Sequence, residues 1–374
     1  MTTGSASLRP PARVVHADWG LQPRKRWQVR AELQADGRYQ IEGPERAPSL
    51  DAWADAVFPA DREQVTLAGF DFPIGLPQAY ARRVGVTAFL ELLPLLGQGE
   101  WAEFFQVATI PDEVSLHRPF YPRASGPKGT TKRAHLLAGL GVERIDELLR
   151  RCDLRTAERR AACTLFWTLG GNQVGKGAIS GWQALFLPLL ASGRPLRFWP
   201  FQGGLEPLLR GAGLVVAETY PTECYRHLGL DVRSKRDQAD RRRNADALLG
   251  WADGAGVALS AVFEEAVRDG FGSRGDGEDR FDAAVGLCGM LNVVLGQRGA
   301  GRHPDPVAEQ VEGWIFGQES LDAPARQAPL ARVPQPLAAR TERRRLDTLD
   351  RKQEERDAGD DRPVQGMPPG PRYR

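Results

Sequence analysis

The stretch Arg13-Val14-Val15-His16-Ala17-Asp18-Trp19-Gly20 decides how the rest of the chain is read. An apolar run ends on an acid and is followed by a glycine turn, the pattern of a short buried strand with a carboxylate at its carboxyl end. Folds of the α/β class place their chemistry just outside the carboxyl ends of strands. Fold and function therefore turn on whether other acids arrive beside Asp18.

Working outward, Trp27 to Gln34 alternates in Trp27, Val29, Ala31 and Leu33, which predicts a half-buried strand. Asp36-Gly37 is a two-residue hairpin signal, and Arg38 to Glu42 returns as the third strand. Ser49 suits the N-cap of a helix over Leu50 to Phe58, with Leu50, Trp53, Ala54 and Val57 on one face. Gln64 to Phe70 is a fourth strand, and it ends on Asp71. Three antiparallel strands and a helical crossover put the fourth strand beside the first and parallel to it. Asp18 and Asp71 then share one sheet edge. Further on, Gly213 to Thr219 is an apolar strand that runs into Glu218. Arg280 to Leu295 predicts a helix with the stripe Phe281, Ala284, Cys288, Leu291 and Leu295. Asp282 falls in its first turn, with Asp279 as a competing N-cap, and Gly286 and Gly289 leave room for close approach to a sheet.

Residues 78–205 read as a mostly helical insertion. Helices are expected at Thr87 to Gln106, Ala134 to Arg151, Thr156 to Leu169 and Trp182 to Ala191, around a Pro/Gly-rich loop at Thr109 to Lys132. Shorter helical patterns occupy Leu205 to Arg210, Arg233 to Asp253 and Leu259 to Asp269. The expected organisation is a disordered lead over 1–11, a domain over 12–318, and a charged, Pro-rich disordered tail over 319–374.

With 50 basic and 48 acidic residues, the net charge of +2 gives no global pull toward nucleic acid or membrane, so any basic surface is local. Four scattered cysteines without a Cys-x-x-Cys pair argue against a zinc knuckle or a disulfide framework and fit a reducing, cytoplasmic setting. The polar segment Met1 to Pro10 lacks the apolar core of a signal peptide. The longest apolar runs are too short to span a bilayer, so no membrane partner is expected.

Asp18, Asp71, Glu218 and Asp282 form the candidate constellation. Three have bland readings alone: Asp18 closes a turn, Asp71 makes an Asx-turn and Asp282 complements a helix N-terminus, whereas Glu218, a strand-end acid after four apolar residues, needs a partner. Together they are carboxylates that cannot all ionise side by side without a cation between them. Oxygen donors suit Mg²⁺ or Mn²⁺, and two such ions form the usual clamp for attack on a phosphodiester.

The pieces Ala17-Asp18-Trp19-Gly20, Gly69-Phe70-Asp71-Phe72-Pro73-Ile74-Gly75-Leu76-Pro77, Glu218-Thr219-Tyr220-Pro221, Phe281-Asp282-Ala283-Ala284 and Glu312-Gly313-Trp314-Ile315-Phe316-Gly317 resemble, in order and spacing, the DUF429 family. The resemblance covers roughly residues 12–318; the charged tail has no counterpart in the family pattern. It implies a ribonuclease-H-like fold, an α/β mixed sheet flanked by helices, with a carboxylate cluster for divalent metal. It also implies nuclease activity, a label the family carries by fold analogy.

Other motifs compete for attention. Gly170 to Gly177 nearly matches a phosphate-binding loop but has Gly177 where the hydroxyl residue belongs, and a helix is expected before it where a strand is required. Lys176 there, with Arg123 and Lys128 of the basic loop near Phe120 and Tyr121, is a candidate for steadying substrate phosphates. Lys235, Arg236 and Arg241 to Arg243, mixed with Asp231, Asp237 and Asp240, read as an ion-paired helix face. His16 is given no role. The expected activity is a metal-dependent nuclease acting on a nucleic acid of unspecified type. The alternatives are a non-catalytic nucleic-acid or nucleotide-binding module on the same fold and an actin-like ATP-dependent phosphotransferase.

Overall fold

The computed structural model describes residues 10–61, 63–123, 131–169, 174–273 and 275–319. The tail, most of the lead, Lys128 and residues 170–173 of the glycine-rich stretch lie outside them. Seven strands form one mixed sheet: β1 (Arg13–Asp18), β2 (Trp27–Leu33), β3 (Tyr39–Arg46), β4 (Val65–Phe70), β5 (Leu196–Phe198), β6 (Gly213–Glu218) and β7 (Ala258–Leu259). Their order is β5-β6-β4-β1-β2-β3-β7. The expected hairpins hold, with β1–β2 and β2–β3 antiparallel. The helix Leu50–Val57, capped by Ser49, then carries the chain across so that β4 pairs parallel with β1. On the far side β6 runs parallel to β4. The short strands β5 and β7 had no sequence signal.

Period-two alternation divides the sheet into two faces. Val15, Ala17, Ala68, Phe70, Leu214 and Val216 face a core built largely from residues 78–205, including Trp182, Phe186 and Phe104. Val14, Leu67, Val215 and Ala217 face the opposite core, which centres on the helix Gly277–Val294. That helix lies tight on the sheet because it presents glycines. A Cβ on Gly286 would come within 2.2 Å of the His16 ring, and one on Gly289 within 2.3 Å of Cys224 Sγ. All these elements belong to one compact unit.

The helices of 78–205 are more broken than expected. Thr87 to Gln106 gives only Phe89–Leu92 and two 3₁₀ turns, interrupted at Pro94, Gly97 and Gly99. Ala134 to Arg151 stops at Gly141, which sits at φ 65°. Thr156 to Leu169 contains no helix: the Thr156 hydroxyl accepts from the Glu158 and Arg159 amides and turns the chain instead. Trp182–Phe186 forms a π-helical turn. Pro188, which has no N–H to donate, follows directly at the head of Leu187–Ala191. The helix Gly277–Val294 begins three residues before Arg280, so Asp282 lies in its second turn and Asp276, not Asp279, holds the N-cap position. A helix at Pro306–Glu312 was not foreseen. No helix among the described residues is long and apolar enough to cross a membrane.

Candidate functional site

Asp18 and Asp71 sit at the ends of adjacent parallel strands. Val14, His16 and Asp18 share one side of β1, and Leu67, Gly69 and Asp71 share the same side of the β4 line, so both carboxylates look toward the helix Gly277–Val294. That helix supplies Asp282 from its buried face. The three aspartates thus come together, one from each strand end and one from the covering helix.

Their electrostatics are those of crowded like charges. Burial, and then repulsion from Asp71, Asp282 and Asp279, hold the Asp18 carboxyl well above the usual range. Burial and then Asp282 push Asp71 up to about 7, although the Trp19 amide donates to its Oδ1 at 3.3 Å. Asp282 is raised by burial against the pull of Lys235, whose Nζ lies 2.5 Å from Asp282 Oδ2. Lys235 also reaches Glu278 Oε1 at 3.4 Å. Burial disfavours the ammonium, but Asp282 outweighs it and keeps the lysine charged. Asp279, at the rim, pairs with Lys25 at 3.4 Å.

Glu218 does not join this cluster. In register it lies beside Phe70, whereas Asp71 aligns with Thr219, one residue further on. The pleat therefore sends Glu218 to the opposite face, among Leu214 and Val216. There the buried Arg150 guanidinium donates from both terminal nitrogens to its two oxygens at 2.6 Å, and the Ile74 amide adds a third bond at 2.6 Å. Arg150 also grips Asp153 through Nε and Nη2, at 2.9 and 2.8 Å. Glu218 is saturated; it ties segment 144–154 to the sheet. Thr219 takes its place on the site face, 2.7 Å from His16 Nε2. His16 consequently lies on the same face as Asp18, sealed in the core beneath it.

The structure describes two of the three expected substrate-binding residues, Arg123 and Lys176. Arg123 is exposed, and Lys176 lies half-buried on the helix Val174–Gly181. No hydrogen bond or ion pair among the described residues joins either to the aspartates, and Lys128 is outside those residues. Arg118 of the same loop pairs with Glu113 at 3.2 Å. In the described part of the glycine-rich stretch, a Cβ on Gly175 would meet Leu165 O at 2.6 Å, so that glycine serves close packing. It follows a turn rather than a strand. What the sequence reading missed is Lys235, because a lysine within a mixed-charge run gives no sign of where its loop will deliver it.

Asp282 Oδ1 is buried and has no hydrogen-bond partner, and hard carboxylate oxygens from three elements suit Mg²⁺ or Mn²⁺. Among the described residues no group of three or more His, Cys, Asp or Glu side chains is placed to hold a metal ion; Lys235 holds the position of counter-ion. The residues fit the ion in donor chemistry.

No family model matches the chain, and no curated protein or solved structure matches it.

Proposed function

We propose that this chain is a divalent-cation-dependent phosphodiester hydrolase, a nuclease, on a ribonuclease-H-like version of the mixed sheet. One observation carries the reading: Asp18, Asp71 and Asp282 converge on one face with their charges unreconciled and Asp282 Oδ1 left without a partner. The resemblance to the DUF429 family supports the same class. Asp18 and Asp71 from the strand ends and Asp282 from the helix would hold Mg²⁺ or Mn²⁺, which when bound supplies a water of lowered pKa and charge for the leaving oxygen. The chain's own part is to fix three carboxylates on rigid elements. The Trp19 amide orients Asp71, and Thr219 and His16 fill the floor below. Glu218 is left out of the catalytic set. Single- and double-stranded DNA and RNA, incubated with Mg²⁺ or Mn²⁺, are expected to be cleaved by the wild type and not by Asp18→Asn. Cleavage that persists unchanged in that variant rejects the assignment.

A second reading has one observation in its favour. Lys235 already neutralises Asp282, so the same face could bind nucleic acid without turning it over. That reading requires salt-dependent binding, no cleavage, and no loss of binding in Asp18→Asn.

A further inference from the structure

An unusual amount of buried charge is devoted to one short loop. Residues 231–237 lead into the helix Gln238–Arg243. Asp240 Oδ2 accepts from the backbone amides of Arg233, at 2.8 Å, and Ser234. The Arg241 guanidinium donates to Lys235 O, and to Gly270 O and Gly272 O at 2.7 Å each. Asp240 and Arg241 are each 1% exposed. Buried charges are costly unless they are matched. Here both are matched mainly by backbone, so their effect is to fix the loop and its contact with residues 270–272. The side chain that this loop delivers to the aspartates is Lys235. The mixed-charge run is ion-paired as expected, through Arg242 to Asp269, Arg243 to Asp240 and Arg236 to Glu278, and its two buried members also buttress the loop.

Around the Lys235 ammonium two polar atoms lack hydrogen bonds. Asp282 Oδ1 is a buried acceptor with nothing to accept from, and the buried Tyr225 hydroxyl has the Thr222 side chain beside it but makes no hydrogen bond of good geometry. Tyr225 borders both Lys235 and Asp282, and its ring packs on Phe281. A ligand that satisfies this arrangement brings positive charge to Asp282 and an anionic oxygen to Tyr225. A phosphoryl group accompanied by a divalent cation has both.

We propose that Lys235 and Tyr225 are the phosphate-binding residues of this site and that Lys235 is an exchangeable counter-ion. It neutralises Asp282 when the aspartates hold no cation. When they do, its ammonium transfers to a phosphoryl oxygen, to which the Tyr225 hydroxyl also donates. This rests on the metal-dependent reading above and adds the groups that face the substrate. It makes cation and phosphate binding mutually reinforcing, since each favours the same position of Lys235.

The test is titration calorimetry with Mn²⁺ and inorganic phosphate, which does not depend on turnover. The wild type should bind phosphate about tenfold or more tightly with Mn²⁺ than without it. Lys235→Met should bind Mn²⁺ about tenfold more tightly, having lost the competing ammonium, and phosphate about tenfold more weakly. Tyr225→Phe should keep wild-type Mn²⁺ affinity and lose phosphate affinity. Lys235→Met binding Mn²⁺ no better than the wild type overturns the exchange, and unchanged phosphate binding in both variants overturns the assignment of the pair. Should Lys235→Met not fold, Tyr225→Phe decides alone, because it removes one hydroxyl from an otherwise unchanged ring. A wild type that binds Mn²⁺ and phosphate but cleaves no nucleic acid would reject the nuclease reading and leave this inference standing. Failure to bind Mn²⁺ at all would reject both.

Discussion

Replacing Asp71 by asparagine removes one charge from the cluster and keeps the side chain's shape, including an oxygen for the Trp19 amide. The carboxyl titrates near 7 in the folded chain against an ordinary 3.8. The unfolded chain therefore releases this proton first. Stability falls as pH rises from about 4 through 7, by about 1.4 kcal/mol for each unit of separation. At pH 8, without divalent cation, the ionised Asp71 thus destabilises the fold by up to about 4 kcal/mol. Burial is the larger cause and repulsion from Asp282 the next, and Asp71→Asn relieves each only in part, so a net gain of about 2–4 kcal/mol is expected. Urea unfolding in the presence of a chelator, at pH 8 and at pH 5, measures it. The variant should be the more stable at pH 8, and its advantage should shrink at pH 5 and vanish near pH 4. An Asp71→Asn protein that is less stable at pH 8, or whose difference from the wild type does not vary with pH, would refute the view that Asp71 is held buried with a raised carboxyl beside Asp282.

His16 should act in the opposite direction. Burial lowers its pKa to about 3, so its contribution is intact above pH 6.5 and is lost as pH falls toward 3, by up to about 5 kcal/mol; His16→Gln should flatten the acid limb of the urea midpoint plotted against pH. Arg150→Met leaves Glu218 and Asp153 buried without their base, and chemical denaturation should show a loss of about 3–5 kcal/mol, partly recovered when Glu218→Gln is added. Gly286→Ala places a methyl against the His16 ring, and a loss of about 1–3 kcal/mol in thermal or urea unfolding is expected from overpacking.

The central strands were legible because their signals are local and redundant. Trp27 to Leu33 alternates, Asp36-Gly37 turns the chain, and Ser49 starts the next helix. Those features alone force β4 beside β1. The strands β5 and β7 were not legible, since three and two residues are too few to display a period. Residues 87–106 carry helical composition, but Pro94 and the positive-φ glycines Gly97 and Gly99 divide it. At the site, Asp18 and Asp71 could be read from position because each closes a strand of known direction, and Asp282 because Gly286 and Gly289 mark the helix face that meets the sheet. Glu218 could not be judged by the same rule. Ending a strand fixes which edge a residue occupies; the face depends on registration with the neighbouring strand. Gly69 aligns with Ala217, and that one-residue phase puts Thr219, not Glu218, beside Asp71. Lys235 lay deeper still, since its position depends on buried partners in two separate segments.

The contact between Gly286 and His16 also fixes a gauge. Gly286 lies four residues beyond Asp282 on the helix, and His16 lies two residues before Asp18 on the strand. Both intervals span about 6 Å. The closest approach of helix and sheet therefore sits one level below the carboxylates and determines how wide the mouth between Asp18 and Asp282 can be. On the metal-dependent reading, successively larger side chains at position 286 would widen that mouth stepwise while leaving the three carboxylates chemically unchanged. The ion that suits it best should shift in the same order, from Mg²⁺, which demands oxygens at about 2.0–2.1 Å, toward Ca²⁺, which accepts about 2.3–2.6 Å.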